Sequence, residues 1–409
     1  MTRVVFAAAV VLTVMLFIVA AVRASGDGGG SDEEVGFTVE WKEGFRVESA
    51  DGQFKLKFGG RLQNDWMWGS GDDELEDAVG EIVSGNEFRR ARLFFSGTVF
   101  SNVEFKVQYD FTGGDVDFKD VYLGITNLPF GTLRIGHFKE PFSLEELTSS
   151  KYLTFLERSL PNIFSPSRNT GFAILGHSGN ERLTWGAGVF TDADDYGEAK
   201  SHGDTYNFSA RVTFLPWLEG SDLLHVGFGY HYQGIQEGGG IRYRQRPEVH
   251  LTHRFLDTRS FAANSANIFG VEGALVYGLL SLQGEVMTAL VDAPDYGDPN
   301  LNGYYVYGSF FLTPGDHRRY KKSTGAFDRV RPSRPFMPGG GTGAWEVAVR
   351  YSHLELSDGL IEGGILNSVS VALNWYLNSV TRFMFNYVYA DREDVGSANF
   401  FQSRFQIDF

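Results

Sequence analysis

The chain ends on Phe409, and the residues leading to it alternate between two faces. Within 400–409, Phe401, Phe405, Ile407 and Phe409 share one face, and Gln402, Arg404, Gln406 and Asp408 share the other. A period of two belongs to an extended strand that is apolar outside and wet inside. A half-buried strand of a soluble sheet alternates in the same way, so recurrence and context must separate the two cases. The alternation returns from Gln53 onward. Phe54, Leu56, Phe58, Leu62, Trp66 and Trp68 oppose Lys55, Lys57, Arg61, Gln63 and Asp65. Val103, Phe105, Val107, Tyr109 and Phe111 oppose Glu104, Lys106, Gln108, Asp110 and Thr112, and Val369, Val371, Leu373, Trp375 and Leu377 oppose Ser368, Ser370, Asn374 and Tyr376. Such runs have the length of a tilted strand that crosses a hydrocarbon layer.

The context is a secretion leader. Arg3 supplies a charged start, residues 4–21 are apolar or small apart from Thr13, and Val22-Arg23-Ala24 suits a small-residue cleavage site. Residues 1–24 are therefore read as a signal peptide, with an uncleaved anchor as the alternative. No later apolar run approaches the length of a spanning helix, so membrane residence must come from strands. The 50 glycines, 36 phenylalanines and 18 tyrosines, with 43% hydrophobic residues, suit a barrel whose polar lumen offsets its apolar belt. The chain has no cysteine, which fits passage through an oxidising periplasm without disulfides.

The connections alternate as well. Short turns at 101–102, 127–131, 178–180, 219–222 and 378–379 interleave with longer segments, the bacterial habit of short periplasmic turns and long external loops. The expected fold is all-β, a transmembrane antiparallel barrel of roughly sixteen strands over 53–409, preceded by a periplasmic segment, 25–52. Within that segment 25–34 reads as disordered and 35–51 as a strand or hairpin. Residues 235–267 read as one long loop, and 314–343 as an unusually long periplasmic connection. Sixteen strands enclose a water-filled channel, whereas eight do not. Transport is the function such a shape suggests.

Gly136-His137-Phe138-Lys139-Glu140-Pro141-Phe142-Ser143-Leu144-Glu145, continuing through Tyr152-Leu153-Thr154-Phe155-Leu156-Glu157-Arg158 to Pro161, resembles the third external loop of the phosphate-selective porins of the O and P type. Asn86-Glu87-Phe88-Arg89-Arg90-Ala91-Arg92, Gly343-Ala344-Trp345-Glu346 and the terminal Phe409 match the same pattern. The resemblance implies a homotrimer of sixteen-stranded barrels in the bacterial outer membrane. It also implies an anion pathway lined by arginine and lysine for inorganic phosphate or related anions. In that family the third and fifth external loops fold into the pore; their counterparts here are 139–168 and 235–267. It implies no cofactor.

Arginine suits such a pore because a phosphate that sheds water regains hydrogen bonds from a planar, permanently charged fork. Conduction also needs sites weak enough to release the ion, so a ladder serves better than one tight pocket. The candidates are Arg242, Arg244 and Arg246, spaced by two so that an extended backbone turns all three one way. Arg61, Arg90, Arg92, Lys55, Lys57 and Lys106 face the lumen by alternation, and Arg158 lies in the third loop. Asp110 shares the wet face with Lys106; it either orders the arginines and softens the field or makes an ordinary salt bridge.

The formal charge of −15, two units more negative without Arg3 and Arg23, opposes a simple anion funnel, so the placement of the cations matters more than their sum. Acidic stretches at 72–81 and 192–198 fall in external loops, where they serve solubility or hold divalent cations between lipopolysaccharide groups in the surrounding lipid. A basic run, 317–334, either draws anions from the pore exit or is a solvated loop; in a secreted barrel it is not read as nucleic-acid binding. No residue set looks catalytic or metal-ligating: His250 and His253 would need a helix that 248–255 does not suggest, and Gly339-Gly340-Gly341 follows Pro338 as a connection. The chain is not read as an enzyme. The alternatives to a phosphate pore are a general solute porin and a structural barrel without phosphate preference.

Overall fold

The computed structural model describes residues 36–199 and 205–409. The leader at 1–24 and the polar run 25–34 lie outside the described residues. Sixteen strands form the barrel: β1 (Lys55–Gly71), β2 (Gly85–Val99), β3 (Val103–Asp110), β4 (Asp117–Leu128), β5 (Gly131–Lys139), β6 (Arg168–His177), β7 (Leu183–Thr191) and β8 (Asn207–Glu219). They continue as β9 (Asp222–Gly234), β10 (Ser265–Tyr277), β11 (Leu280–Asp292), β12 (Asn300–Phe311), β13 (Ala344–Asp358), β14 (Ile361–Tyr376), β15 (Thr381–Arg392) and β16 (Gly396–Asp408). Each pairs antiparallel with its neighbour in sequence, and β16 returns to β1 with Gln402 opposite Met67 and Arg404 opposite Asp65. Closure removes the sheet edge, so the backbone donors of the first and last strands also find strand partners.

The alternation decides which face meets lipid. Leu62, Trp66, Trp68, Val369, Val371, Phe401 and Phe405 are exposed on the outside, whereas Arg61, Gln63, Asp65, Gln402, Arg404 and Gln406 are buried inside. Parity then sorts the connections. The side holding the tight turns 129–130, 220–221 and 278–279 also holds 312–343, and the opposite side holds 72–84, 140–167 and 235–264. By the bacterial pattern the first side is periplasmic. The N-terminal segment forms a hairpin, Phe37–Trp41 with Phe45–Ser49, whose second strand pairs with β1 at Phe58 and Leu56. It continues the sheet where β16 has ended, since β16 pairs with β1 only from Arg61 upward.

Three connections fold into the lumen. Loop 3 (residues 140–167) hangs from Arg350, Arg382 and Arg404 of the wall. These reach the carbonyls of Glu157 (3.1 Å), Leu153 (2.7 Å) and Leu156 (2.6 Å). Its short helix Leu144–Leu147 presents the Leu144 and Glu145 amides to the Glu285 carboxylate at 3.1 and 2.7 Å. Loop 5 (residues 235–264) brings Ile241, Tyr243, Val249, Phe255 and Phe261 into an apolar cluster with Phe142, Leu160 and Phe164 of loop 3. Hydrophobic burial thus holds the two loops together inside the barrel. The periplasmic segment 312–343 rises beneath loop 3: the Phe327 amide donates to Thr148 Oγ1 (3.3 Å) and Arg318 to the Tyr152 carbonyl (2.9 Å). The solvated-loop reading of 317–334 is corrected in part: Arg318 and Arg329 are buried, and Arg329 pairs with Asp408, because this stretch fills space that a sixteen-stranded barrel would leave open, whereas Lys321, Arg331 and Arg334 stay exposed.

The seam shows a close approach that only glycine permits. The Gly60 amide donates to the Phe409 carbonyl (2.8 Å), and a Cβ on Gly59 would lie 2.2 Å from that oxygen and 2.8 Å from the Phe94 ring. Gly59→Val is expected to destabilise the barrel by about 1–3 kcal/mol through overpacking. A lower urea midpoint of the heat-modifiable folded band would register it, and an unchanged midpoint would show that the seam relaxes.

Candidate functional site

The in-folded loops leave one large chamber on the external side, about 750 Å³. Twelve arginine and lysine side chains line it against four carboxylates: Asp120, Glu146, Glu157 and Glu248. The cations come from β1–β6 on one flank and from loops 3 and 5 on the other. Of the residues singled out from sequence, Arg61, Arg90, Arg92, Lys106, Arg158, Arg244 and Arg246 meet here.

Alternation accounts for Arg61, Arg90, Arg92 and Lys106, and two irregularities add residues that it hides. Between Gln63 and Asn64 the register with β2 slips, so Asn64 faces Phe88 and Gln63 faces Arg90, which leaves Arg89 extra. The bulge turns Arg89 inward next to Arg90. It forms a two-pronged ion pair with Glu157 of loop 3, Nε at 2.9 Å and Nη2 at 3.0 Å. A second slip, between Val107 and Tyr109, leaves Lys119 and Asp120 opposite one residue of β3, and both line the chamber. Asp120 pairs with Lys106 and accepts from Arg168 Nε at 2.7 Å. Strict period-two reading overlooks both; the signal available was an Arg89-Arg90-Ala91-Arg92 run too rich in charge for one lipid face.

Some cations are occupied. Arg92 donates to Asp110 Oδ2 at 2.6 Å, and Asp110 also accepts from the Ala91 amide and Thr112, so Asp110 orders Arg92 from beside the chamber rather than lining it. Arg158 donates to the carbonyls of Glu145 and Glu146 at 3.1 Å each and pairs with Glu146 at 3.1 Å, which makes it a staple of loop 3. Burial opposes ionisation of Glu146, but Arg158 and Lys139 outweigh it and hold the carboxyl at about 2. Others carry more open charge. Arg61 bonds Ser150 Oγ (2.6 Å) and Arg90 bonds Gln63 (2.9 Å). Arg244 and Arg254 make no ion pair among the described residues.

The three-arginine stripe divides. Ile241 and Tyr243 pack into the loop cluster and turn Arg242, Arg244 and Arg246 to the other face, as an extended run requires. Arg244 and Arg246 reach the chamber, but Arg242 does not line it: 37% exposed, it forks onto Asp257 across the loop's own two-residue strand pair. Lys55 likewise stays at the periplasmic rim, where it meets Glu48 of the hairpin at 2.7 Å. His250 contacts Glu87 at 2.7 Å and His253 the Glu81 carbonyl at 3.1 Å, so they point to different partners. Among the described residues no group of three or more potential ligands is placed to hold a metal.

Arg350 of β13 ties the loops to the wall. It reaches Glu145 Oε1 of loop 3 (3.4 Å) and Glu248 Oε2 of loop 5 (2.5 Å), and its guanidinium lies 4.2 Å from the Phe155 ring centre. Ser352 and Ser370 hold the same Glu248 carboxylate at 2.6 Å each.

Lys106, Asp120, Lys139 and Leu147 also border a second chamber of about 490 Å³ toward the periplasm. These four residues line both chambers and mark the junction where they adjoin. The lower chamber has Pro141 and Leu147 of loop 3 above, Tyr122, Phe138 and Leu175 on the wall, and Ser323, Thr324 and Ala326 of the periplasmic segment opposite. Arg134 lies 4.0 Å over the Tyr122 ring and pairs with Glu104 at 2.8 Å.

Known proteins share this architecture. Porin O of Pseudomonas aeruginosa is 28% identical across 88% of each chain, and an uncharacterized protein of Caulobacter vibrioides is 29% identical across 85% of this chain and 71% of its own. Among solved structures, an anion-selective porin from Comamonas acidovorans superposes with a TM-score of 0.58 at 13% identity, covering 87% of this chain and all of that one. OmpT of Vibrio cholerae in a trimer form gives 0.56 at 14% identity, with 87% and 99% coverage. These two share the fold. The match to the family described as Phosphate-selective porin O and P runs over residues 56–409, essentially the whole barrel. The chain is therefore an outer-membrane porin, and it belongs to the phosphate-selective porin O and P family.

Proposed function

We propose that this porin conducts inorganic phosphate and related anions passively, without a chemical step. In this reading the anion passes from Arg244, Arg246 and Arg254 to Arg61, Arg89, Arg90 and Arg92, then past Arg168 to the junction of Lys106, Lys139 and Asp120. The observation that carries it is the twelve-to-four excess of cations over carboxylates lining the external chamber of a chain whose net charge is −15. Such a reversal inside low-dielectric walls concentrates anions. Asp120 supports release rather than capture, because a carboxylate among the junction cations limits how tightly an anion is held. Asp110 and Arg158 act by positioning Arg92 and loop 3.

The proposal extends to the assembly. A leader ending near residue 24 is removed, the barrel works as a homotrimer, and the acidic external loops meet lipopolysaccharide in the outer leaflet. A general solute porin or a structural barrel is the competing reading.

Reversal potential under a KCl gradient in a planar bilayer, followed by titration of phosphate against the chloride current, tests the pore. We expect anion selectivity, block by phosphate, and roughly tenfold weaker block in an Arg244→Ala, Arg246→Ala double variant, about 1.4 kcal/mol of lost attraction. A cation-selective wild-type pore indifferent to phosphate would overturn the reading.

A further inference from the structure

The lower chamber has a chemistry that inorganic phosphate does not use. Past the junction the cations are no longer alone: Tyr122, Phe138 and Leu175 of the wall and Pro141 and Leu147 of loop 3 present carbon to the path. Phe138 is packed behind by Ala173 and Phe190, with Tyr122 and Leu175 set against them, so the patch is built from the wall itself. Arg134 does not restore the charge ladder there. Its guanidinium is matched by Glu104 at 2.8 Å and held 4.0 Å from the Tyr122 ring centre, which ties it to the aromatic surface. The result is a cavity with a cationic edge, Lys106 and Lys139, whose charges are shared with Asp120 and Glu146, beside an apolar side. A few polar groups that fix orientation beside apolar walls are the ordinary composition of a site for an organic ligand.

We propose that the pore also takes phosphate monoesters: the phosphoryl group rests at the Lys106–Lys139 junction while the ester's hydrocarbon group lies against Tyr122 and Leu175. The inference rests on the anion reading of the pore. It adds that the lower chamber selects by the organic substituent. A hydrated inorganic phosphate gains nothing from that wall, whereas a hydrocarbon group that leaves water along it is stabilised in proportion to its area. The gain stays small enough for release toward Ser323 and Thr324, as conduction demands.

The test is block of the chloride current by inorganic, methyl, propyl and phenyl phosphate, each titrated on the same wild-type channels in a planar bilayer. Inorganic and methyl phosphate are expected to block at similar concentrations. Phenyl phosphate is expected to block about tenfold more tightly than methyl, the gain when roughly 55 Å² of apolar surface leaves water, with propyl between them. In a Leu175→Thr, Tyr122→Thr double variant the phenyl-to-methyl ratio should fall below about threefold while block by inorganic phosphate stays within about twofold. A wild-type ratio near one, with inorganic phosphate still blocking, overturns this inference and leaves the anion pore standing. So does a ratio unchanged by the double substitution. No block by inorganic or methyl phosphate overturns the anion reading and this one together. If the double variant does not insert, the graded methyl, propyl and phenyl series in the wild type decides alone.

Discussion

Replacing Arg350 with methionine is expected to raise single-channel KCl conductance several-fold and to erase most discrimination between phosphate and chloride. Arg350 is 1% exposed and lies between Glu145 of loop 3 and Glu248 of loop 5, with the Glu157 carbonyl as a third partner at 3.1 Å. Methionine fills much of the space against Phe155 but leaves two buried carboxylates without their cation. Removing one partner of a buried ion pair costs about 3–5 kcal/mol, comparable to what an apolar loop cluster gains from burying one or two large side chains. The loops then lose a tie to the wall that both share, which shifts the balance toward the open interior of a sixteen-stranded barrel although Arg382, Arg404 and Glu285 still hold loop 3. Exclusion of polyethylene glycols of increasing size would measure the widened pore. Arg350→Lys should give an intermediate result, since one ammonium cannot span both carboxylates as a guanidinium fork does. Wild-type conductance and exclusion size in Arg350→Met would show that the apolar cluster and the Glu285 contact suffice without it.

The second large effect is expected at the junction. With Lys106→Ala and Arg168→Ala together, Asp120 loses both its paired cations, and Lys139 is the cation that remains where the two chambers meet. A unit charge about 4 Å from the ion contributes roughly 4 kcal/mol at the effective dielectric of a protein surface. Loss of two attractive charges therefore weakens phosphate block by more than about a hundredfold, equivalent to only about 2.7 kcal/mol. Reversal potential under a KCl gradient should move toward cation preference. The converse substitution, Asp120→Asn, should tighten phosphate block and slow phosphate passage, because the opposing carboxylate is gone. If the double variant keeps its anion preference and its phosphate block, selectivity resides wholly in the external chamber, with Arg244 and Arg246 as its first candidates.

Much of this protein is legible in one dimension. Strand identity, the inward face of Arg61, Arg92 and Lys106, the two in-folding loop segments and the long periplasmic connection come from period-two alternation, from turn spacing and from the loop 3 motif. Alternation fails at the bulges. Arg89 and the Lys119–Asp120 pair sit where one strand carries an extra residue, and a single insertion inverts the face of every later residue in that strand. Arg254 and Arg168 are ordinary charges in a sequence; each becomes part of the chamber only because a loop or strand end delivers it there. Arg242 shows the reverse, since its spacing matches Arg244 and Arg246 while Asp257, fifteen residues on, takes it out of the path.

By itself, then, the sequence determined a closed barrel with a wet interior, because side chains that alternate every second residue can satisfy lipid and water at once only in that form. Which charges meet, and which are spent on one another, was decided by the tertiary structure. Loop 3, loop 5 and the periplasmic segment come from distant parts of the chain. Only their packing inside the barrel sets Glu157 against Arg89, Asp120 against Lys106 and Arg168, and an apolar wall below the junction. Electrostatic attraction falls with distance through space rather than along the chain, and no local pattern encodes that distance.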